Sequence, residues 1–217
     1  MSIDAVIFDC DGTLVDSEPL GFSAILAEAR ALGIELMSEE DLFPLKGQSM
    51  ATCLQAVQRR YGQPLPDDFE ATLRKSMAAA FRDRLQPMPG ALEMLRSLKL
   101  PYCVASNGPR EKIELTLEIT GLLPLFRGRV FSAYEVGSFK PEPGLFLHAA
   151  RAMGVVPERC AVVEDSVAGV RAGLAAGMSV YALRSPQPLP PDLAGQVQNL
   201  DRLDELVHTA WNRAAVP

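Results

Sequence analysis

Short apolar strands alternate with helical segments through the second half of the chain, and this alternation constrains the fold more than any other feature. PYCVAS, RVFSA, CAVVED and MSVYAL are typical of strands, whereas GLFLHAARAMG and SVAGVRAGLAAG have apolar residues at helical spacing. Such alternation predicts a parallel sheet with helices on both faces. The stretch AVIF at residues 5–8 is expected to join that sheet as a buried strand. The sequence therefore predicts an α/β fold with a doubly wound parallel, Rossmann-like sheet.

Residues 16–86 differ from the rest of the chain, because no convincing strand separates their helical segments. These segments are SEPLGFSAILAEARALG, SMATCLQAVQRRYG and PDDFEATLRKSMAAAFRDRL. Their capping residues and the charges at their ends favour helices. We therefore expect an α/β catalytic core of residues 1–15 and 87–217, with residues 16–86 inserted as a helical cap. The proline-rich stretch RSPQPLPPDLAG is expected to be a surface loop.

Charge and cysteine spacing exclude several classes of protein. The 217 residues include 21 basic and 27 acidic ones, and the net charge of −6 argues against a nucleic-acid or anionic-membrane surface. The four cysteines form no CxxC pair and are expected to be buried free thiols. The sequence has no signal-peptide pattern and no apolar run of about 18 residues. We expect a cytoplasmic monomer or weak dimer with no nucleic-acid or membrane partner.

Polar residues follow four of the predicted elements at the edge where parallel strands end. These residues are Asp9, Asp11, Ser106, Asn107, Lys140, Glu164 and Asp165. Because the carboxyl ends of parallel strands share one edge of a sheet, we expect these side chains to converge there. Four carboxylates in one place require a cation, and oxygen ligands without His or Cys favour Mg²⁺. The accompanying lysine and hydroxyl suggest a ligand with phosphoryl oxygens.

The order of these motifs resembles a known family. DCDGTL, SNGP, KPEPG and VEDS follow one another as in the four-part signature of the haloacid dehalogenase superfamily. The resemblance extends over nearly the whole chain and includes a helical cap after the first strand. Within the superfamily, the sequence resembles the β-phosphoglucomutase-like phosphatases. FDCDGTLVDSE, SNGP and KPEPGLFLHAARAMG are most similar to bacterial 6-phosphogluconate phosphatases.

The resemblance implies a role for each polar residue. Asp9 is expected to attack phosphorus and form an aspartyl-phosphate. Asp11 is expected to protonate the leaving alkoxide and then to deprotonate the attacking water. Lys140 is expected to pair with Asp9 and with the phosphoryl oxygens. Ser106 and Asn107 are expected to donate hydrogen bonds to the same oxygens.

The resemblance also implies a Mg²⁺ cofactor that bridges Asp9 and the phosphoryl group. Asp165 and the backbone carbonyl of Asp11 are the expected protein ligands beside Asp9. Glu164 is expected either to bind the ion or to hold one of its water molecules.

Each motif also has an ordinary structural interpretation. Asp11 is compatible with a turn, SNG with a helix cap, Lys140 with a solvated lysine and the adjacent Glu164 and Asp165 with helix N-terminal charges. All four motifs in order favour an active site. The leading prediction is a Mg²⁺-dependent phosphatase of a small phosphorylated metabolite, such as a sugar or sugar-acid phosphate. The alternatives are a β-phosphoglucomutase-type mutase, a haloacid dehalogenase and a non-catalytic binding protein.

Three positions in the predicted cap bear on the choice between phosphatase and mutase. Lys46 in LKGQSM matches a lysine of the mutase's cap loop, whereas Met50 and Gly21 occupy positions that align with the mutase's arginine and histidine. Because a mutase must retain a bisphosphate, the loss of both groups favours net hydrolysis. Lys46 is expected to contact the polar end of a substrate such as 6-phosphogluconate.

Overall fold

A single parallel sheet organises the protein. The computed structural model describes residues 2–34, 38–185 and 188–209, and within them six strands pair in the order β3-β2-β1-β4-β5-β6, every neighbour parallel. The strands are β1 (Ala5–Phe8), β2 (Tyr102–Ser106), β3 (Val130–Ser132), β4 (Cys160–Glu164), β5 (Ser179–Leu183) and β6 (Gln198–Leu200). The predicted doubly wound α/β fold is confirmed.

Both faces of the sheet are covered, as its apolar strands require. Along β1, Val6 and Phe8 pack in one apolar cluster, while Ala5 and Ile7 pack in another on the opposite face. All four side chains are fully buried, which explains why the strand shows no polar alternation. The helices outside residues 16–86 are α5 (Ala91–Ser97), α6 (Arg110–Ile119), α7 (Leu123–Phe126), α8 (Ala133–Val136), α9 (Gly144–Met153), α10 (Val167–Ala175) and α11 (Pro191–Ala194).

Residues 16–86, here called the helical insertion, are helical wherever the structure describes them as regular. The α-helices are α1 (Glu18–Ala31), α2 (Glu39–Leu42), α3 (Met50–Tyr61) and α4 (Phe69–Arg84), and a 3-10 turn covers Phe43–Leu45. An apolar cluster that includes Ile25, Leu42 and Leu73 holds these helices together. The two ends of the insertion meet, since Asp16 N–H donates to the Gln86 carbonyl at 3.0 Å. The boundaries at residues 15/16 and 86/87 stay a prediction.

The C-terminal part of the chain differs from the expectation of a simple loop. Within RSPQPLPPDLAG, residues 186 and 187 lie outside the described residues, and Pro191–Ala194 form α11. The sequence did not predict β6 or the following 3-10 helix, Leu203–His208. Strand β6 has three residues, two of them exposed, so it carries no apolar pattern by which it could be recognised.

The cysteines are free thiols, as the sequence predicted, but they are not all buried. All four cysteines are free, and Cys10, Cys103 and Cys160 are buried. Cys53 is only half-buried, because α3 presents it to a cavity described below. Within the described ranges, no helix is long and apolar enough to cross a membrane.

Candidate active site

A buried ion-pair network lies at the carboxyl end of β1 and β4. Lys140 Nζ lies 2.5 Å from Asp9 Oδ1 and 2.7 Å from Glu164 Oε1, and the lysine side chain is 1% exposed. An ammonium buried to this degree is tolerated only when carboxylates surround it. Burial alone would lower the pKa of Lys140, but Asp9 and Glu164 outweigh burial and raise this pKa. Lys140 therefore stays charged beside Asp9.

Glu164 is fixed by the turn that follows β4. Its Oε2 accepts hydrogen bonds from the backbone N–H of Asp165 at 2.9 Å and of Ser166 at 2.8 Å, and from the Ser166 hydroxyl at 2.9 Å. Gly169 on α10 has no side chain at the place where the Glu164 carboxylate lies, and an added Cβ would overlap it. Glu164 thus uses one oxygen to hold Lys140 and the other to hold the backbone.

Asp165 presents a buried oxygen that is poorly satisfied by the protein. Its Oδ1 accepts a hydrogen bond of 2.8 Å from Thr13. Among the described residues, no donor reaches its Oδ2 with hydrogen-bond geometry. The ammonium of Lys46 forms an ion pair with this oxygen at 2.5 Å and a second one with Glu18 at 2.9 Å. A cation is therefore the favoured partner of Asp165 Oδ2.

The pKa values of these carboxyl groups are raised mainly by burial, and their negatively charged neighbours add to the rise. Burial raises the pKa of Asp9 well above its ordinary value, and Glu164 and Asp165 add to the rise against the opposing effect of Lys140. Burial likewise raises the pKa of Asp165 to about 7, although Lys46 lowers it. Burial also raises the pKa of Glu18 to about 7. A bound cation would oppose each of these rises.

Asp11 has a different environment on the other side of the backbone turn. Ser17 donates a hydrogen bond of 2.5 Å to Asp11 Oδ1, and the same oxygen forms an ion pair with Lys112. Burial would raise the pKa of Asp11, but Lys112 and Ser17 outweigh it, so that this pKa is lowered. From the described residues, Asp11 Oδ2 accepts only a long hydrogen bond of 3.4 Å, donated by the Ser106 hydroxyl. This second oxygen is available for a ligand.

Asn107 connects the core to the helical insertion. Its Nδ2 donates to the Gly47 carbonyl at 2.9 Å and to the Lys140 carbonyl at 3.2 Å, and its Oδ1 accepts from the Lys140 N–H at 2.9 Å. The amide group is therefore engaged by the backbone, whereas the sequence predicted donation to the substrate. The predicted role of Asn107 in substrate binding stays a prediction.

A cavity of about 380 Å³ lies between the sheet edge and the helical insertion. Asp9, Asp11 and Ser106 line it from the core. The insertion contributes mainly apolar side chains, namely Phe22, Ile25, Leu45, Met50, Met77 and Phe81. The cavity thus combines a charged floor with an apolar wall, as ligand sites commonly do.

The structure brings all the predicted site residues to one edge of the sheet. Lys46 lies there too, but its ammonium contacts the acidic cluster, where the sequence had predicted the polar end of a substrate. Sequence reasoning missed Lys112 and Ser17. Lys112 carried a signal, because a cation in the first turn of α6 opposes the helix dipole and needs another partner. Ser17 carried none, since a serine before a helix is typical of a cap.

The donor set fits a hard divalent ion. Asp9, Glu164 and Asp165 each offer a carboxylate oxygen, and the three oxygens lie within 4.8 Å of one another. Asp165 Oδ2 pairs with the Lys46 ammonium but receives no hydrogen bond of good geometry from the described residues, and the cluster as a whole has the chemistry of a Mg²⁺ site.

The family follows from this fold and site. The family model for haloacid dehalogenase-like hydrolases matches residues 3–177. The chain therefore belongs to the haloacid dehalogenase-like hydrolases, and the family predicted from its motifs is confirmed.

Individual relatives define the class of reaction. The chain is 36% identical over 205 residues to 6-phosphogluconate phosphatase of Escherichia coli (strain K12), and the match covers 94% of this chain and 93% of that protein. The prediction of a phosphoric monoester hydrolase is confirmed.

Two solved structures share the whole fold. A HAD family hydrolase from Deinococcus radiodurans R1, with bound phosphate and sodium, is 32% identical with a TM-score of 0.77, and covers 99% of this chain and 98% of its own. A putative β-phosphoglucomutase from Thermotoga maritima is 25% identical with a TM-score of 0.76, and the match covers 95% and 97% of the two chains.

Proposed function

We propose that this enzyme is a Mg²⁺-dependent phosphatase of small phosphorylated metabolites, namely sugar or sugar-acid phosphates of the 6-phosphogluconate kind. The observation that carries the proposal is the Asp9 carboxylate, which lies 2.5 Å from the buried Lys140 and lines a cavity of about 380 Å³. A fixed carboxylate beside a buried cation at a cavity floor suits nucleophilic attack on an anionic phosphoryl group. The identity to a 6-phosphogluconate phosphatase supports the same assignment.

In the first step, an oxygen of Asp9 attacks phosphorus, and the bond from phosphorus to the leaving oxygen breaks. Asp11 lines the cavity and must be protonated for this step, against the lowered pKa that Lys112 and Ser17 give it in this structure; it gives the proton to that oxygen through Oδ2, which accepts a long hydrogen bond from Ser106. The products of this step are the aspartyl-phosphate and the free alcohol. Lys140 offsets the negative charge that develops on the phosphoryl oxygens.

In the second step, Asp11 takes a proton from water, and the resulting hydroxide attacks the phosphorus of the aspartyl-phosphate. The bond from phosphorus to the Asp9 oxygen breaks, so that inorganic phosphate leaves and Asp9 is regenerated. Ser106 is placed to donate to the phosphoryl oxygens, since its side chain lies at the end of β2 and lines the cavity.

Asp9, Asp165 and the backbone carbonyl of Asp11 would hold Mg²⁺, with Glu164 as a ligand or as the holder of a metal-bound water. When bound, the ion would neutralise the charge that the carboxylates and the phosphoryl group share. The ion would also compete with Lys46 for Asp165. Lys46 must leave that carboxylate if it is to contact the substrate as predicted.

We further propose that the helical insertion acts as a cap over the reaction site, with core and cap divided as the sequence predicted. Its apolar side chains line the cavity, and they would exclude water from the leaving group. An oligomeric state of monomer or weak dimer stays a prediction.

The test is incubation of the purified protein with a panel of phosphate esters, with and without Mg²⁺. We expect inorganic phosphate to be released only with the ion, and sugar-acid phosphates to be among the better substrates. Faster isomerisation of β-glucose 1-phosphate than hydrolysis of any ester would replace the phosphatase with the mutase. Release of no phosphate from any ester would contradict the proposal.

A further inference from the structure

Three lysines contact the carboxylates of the site, and they differ in exposure and in the number of carboxylates with which each forms an ion pair. Lys140 pairs with two carboxylates and is 1% exposed. Lys46 also pairs with two and is 12% exposed. Lys112 is 23% exposed, and among the described residues it forms an ion pair with one carboxylate, that of Asp11. Because an ammonium offers three N–H donors, Lys112 retains capacity for a further anionic partner.

The position of Lys112 places this capacity inside the cavity. Lys112 lies in the first turn of α6 and lines the cavity together with Leu115 of the same helix. Its ammonium lies 5.5 Å from the ring centre of Phe81, which α4 contributes from the helical insertion. This cation–π contact orients the ammonium at the junction between the core and the insertion. That junction is where the leaving group of a phosphate ester must lie if Asp9 attacks from the core.

We propose that Lys112 binds a second anionic group, a carboxylate on the leaving group, and thereby selects phosphorylated sugar acids over the corresponding alcohols. The inference rests on the proposed function, because the role of Asp11 sets the orientation of the ester. Asp11 contacts Lys112 through Oδ1, and in the proposed mechanism it meets the ester oxygen through Oδ2. With each contact at ordinary hydrogen-bond length, the ammonium and the ester oxygen lie less than about 9 Å apart. A short sugar acid spans such a distance.

The other cations of the cavity are less suited to this role. Lys46 pairs with Asp165 and Glu18 at the acidic cluster, and a Lys46 ammonium displaced from Asp165 by Mg²⁺ would still have Glu18 as a partner. Arg74 also lines the cavity, but its guanidinium donates twice to Glu70, at 2.9 and 2.7 Å, and once to the Tyr134 hydroxyl at 3.1 Å. A carboxylate that reaches Lys112 gains a charge-assisted hydrogen bond without breaking any of these contacts.

The experiment measures binding, so that it does not depend on turnover. In Asp9→Asn protein with Mg²⁺ present, calorimetry gives the Kd of 6-phosphogluconate and of glucitol 6-phosphate. The two esters have the same six-carbon chain, with a hydroxymethyl group in one at the position of the carboxylate in the other. We expect the acid to bind about tenfold more tightly, as for one hydrogen bond to a charged group. Lys112→Met should remove this difference, and Lys112→Arg should preserve most of it.

Matched variants separate this role from its rivals. Lys75→Met removes the same charge from an exposed position of α4 outside the cavity, and it should preserve the difference between the two esters. If the difference persists in Lys112→Met, or disappears only in Arg74→Met or only in Lys46→Met, the assignment to Lys112 is overturned. It is also overturned if Asp9→Asn protein binds both esters equally or neither. Binding of inorganic phosphate is measured in each variant to show that the site is intact. If Lys112→Met no longer binds inorganic phosphate, Lys112→Gln is used in its place.

The proposed function is judged separately, by phosphate release from the unmodified enzyme. If that enzyme hydrolyses both esters while Lys112→Met leaves their relative binding unchanged, the phosphatase stands and the role of Lys112 falls. If it hydrolyses neither while the binding difference follows Lys112, the phosphatase falls and the binding role stands.

Discussion

The two walls of the cavity are built on different principles. The wall from the core is a network of charges fixed by strand ends, in which Lys140, Asp9 and Glu164 are each at least nine-tenths buried in their side chains. The wall from the helical insertion is mainly apolar, with Phe22, Met50 and Met77 among its side chains, although Lys46 and Arg74 also belong to it. The core wall is suited to a phosphoryl group, which has one shape and a fixed charge, and the insertion wall to a leaving group, which varies among substrates.

This difference indicates how the free energy of binding is divided. Charges buried in a rigid frame discriminate strongly, because an unpaired charge there costs several kcal/mol. Apolar contacts discriminate weakly, by about 1–3 kcal/mol for a methylene in a pocket. We therefore expect changes in the core wall to abolish the reaction and changes in the insertion wall to alter the choice of substrate. Lys112 belongs to the core wall and contacts Phe81 of the insertion wall, so it links the two walls.

The largest effect is expected from Asp9→Asn. The amide keeps the shape of the side chain but is a poor nucleophile, so kcat should fall by about 10⁴-fold, which is roughly 5.4 kcal/mol. The change leaves Lys140 paired with Glu164, so the protein should stay folded. Phosphate release and circular dichroism measure the two properties. A variant with more than about a hundredth of the original kcat would show that Asp9 is not the nucleophile.

Asp11→Ala should slow turnover by about 10²–10⁴-fold, the usual range for loss of a general acid and base. Nitrophenyl phosphate has a good leaving group, so its first step should be slowed less than that of a sugar phosphate. Single-turnover phosphorylation of Asp9 measures this step. Ser17→Ala provides the control, since it removes the hydrogen bond to Asp11 Oδ1 and retains the carboxyl. Equal slowing of both substrates in Asp11→Ala would argue against its acid role.

The effect of Mg²⁺ on stability should depend on pH. Burial raises the pKa of Asp165 to about 7, so the metal-free folded state favours the protonated carboxyl. Because this pKa lies above the value in the unfolded chain, the metal-free protein should lose stability as pH rises from about 4 to about 7. Mg²⁺ binds the ionised carboxylate and should therefore stabilise the protein more at pH 8 than at pH 5.

Thermal unfolding measures this linkage. At a hundredfold excess over its Kd, Mg²⁺ should raise Tm by about 5–10 °C at pH 8, and by less at pH 5. Asp165→Asn should reduce the pH dependence of the shift without abolishing it, because the pKa of Asp9 is raised as well. Equal shifts at both pH values in the unmodified protein would contradict the linkage.

The smallest effect is expected from Met77→Ala in the insertion wall. The half-buried side chain lines the cavity, so its truncation should raise KM for a sugar phosphate by about two- to tenfold, the range for a modest loss of apolar contact. Inhibition by inorganic phosphate, which we expect the core wall to bind, should be unchanged. Ser106→Ala should do the reverse, weakening inhibition by inorganic phosphate without a specific loss of contact to the sugar. If Met77→Ala weakens phosphate inhibition as much as sugar-phosphate binding, the two walls do not act separately.

The sequence by itself determined the fold class and the identity of the residues at the sheet edge. Buried strands such as β1 have a local apolar signature, and a parallel arrangement sends the residues after them to a common edge. Asp9, Asp11, Lys140 and Asp165 could therefore be placed together before any coordinates were known. Strand β6 could not be recognised, because its residues show no apolar pattern and it is defined by its hydrogen-bonded pairing with β5.

Only the tertiary structure decided which carboxylates Lys46 and Lys112 meet, whereas the Lys140–Asp9 pair was expected from the family resemblance. The pairing of Lys112 with Asp11 joins residues 101 positions apart, and that of Lys46 with Asp165 joins the helical insertion to the end of β4. Long side chains reach such partners through rotamers that sequence spacing does not restrict, and the packing of α6 and α4 around Phe81 selects among them. The strand-end carboxylates are fixed by the backbone, whereas the ammonium groups of Lys46 and Lys112 are placed by the packing of the folded protein.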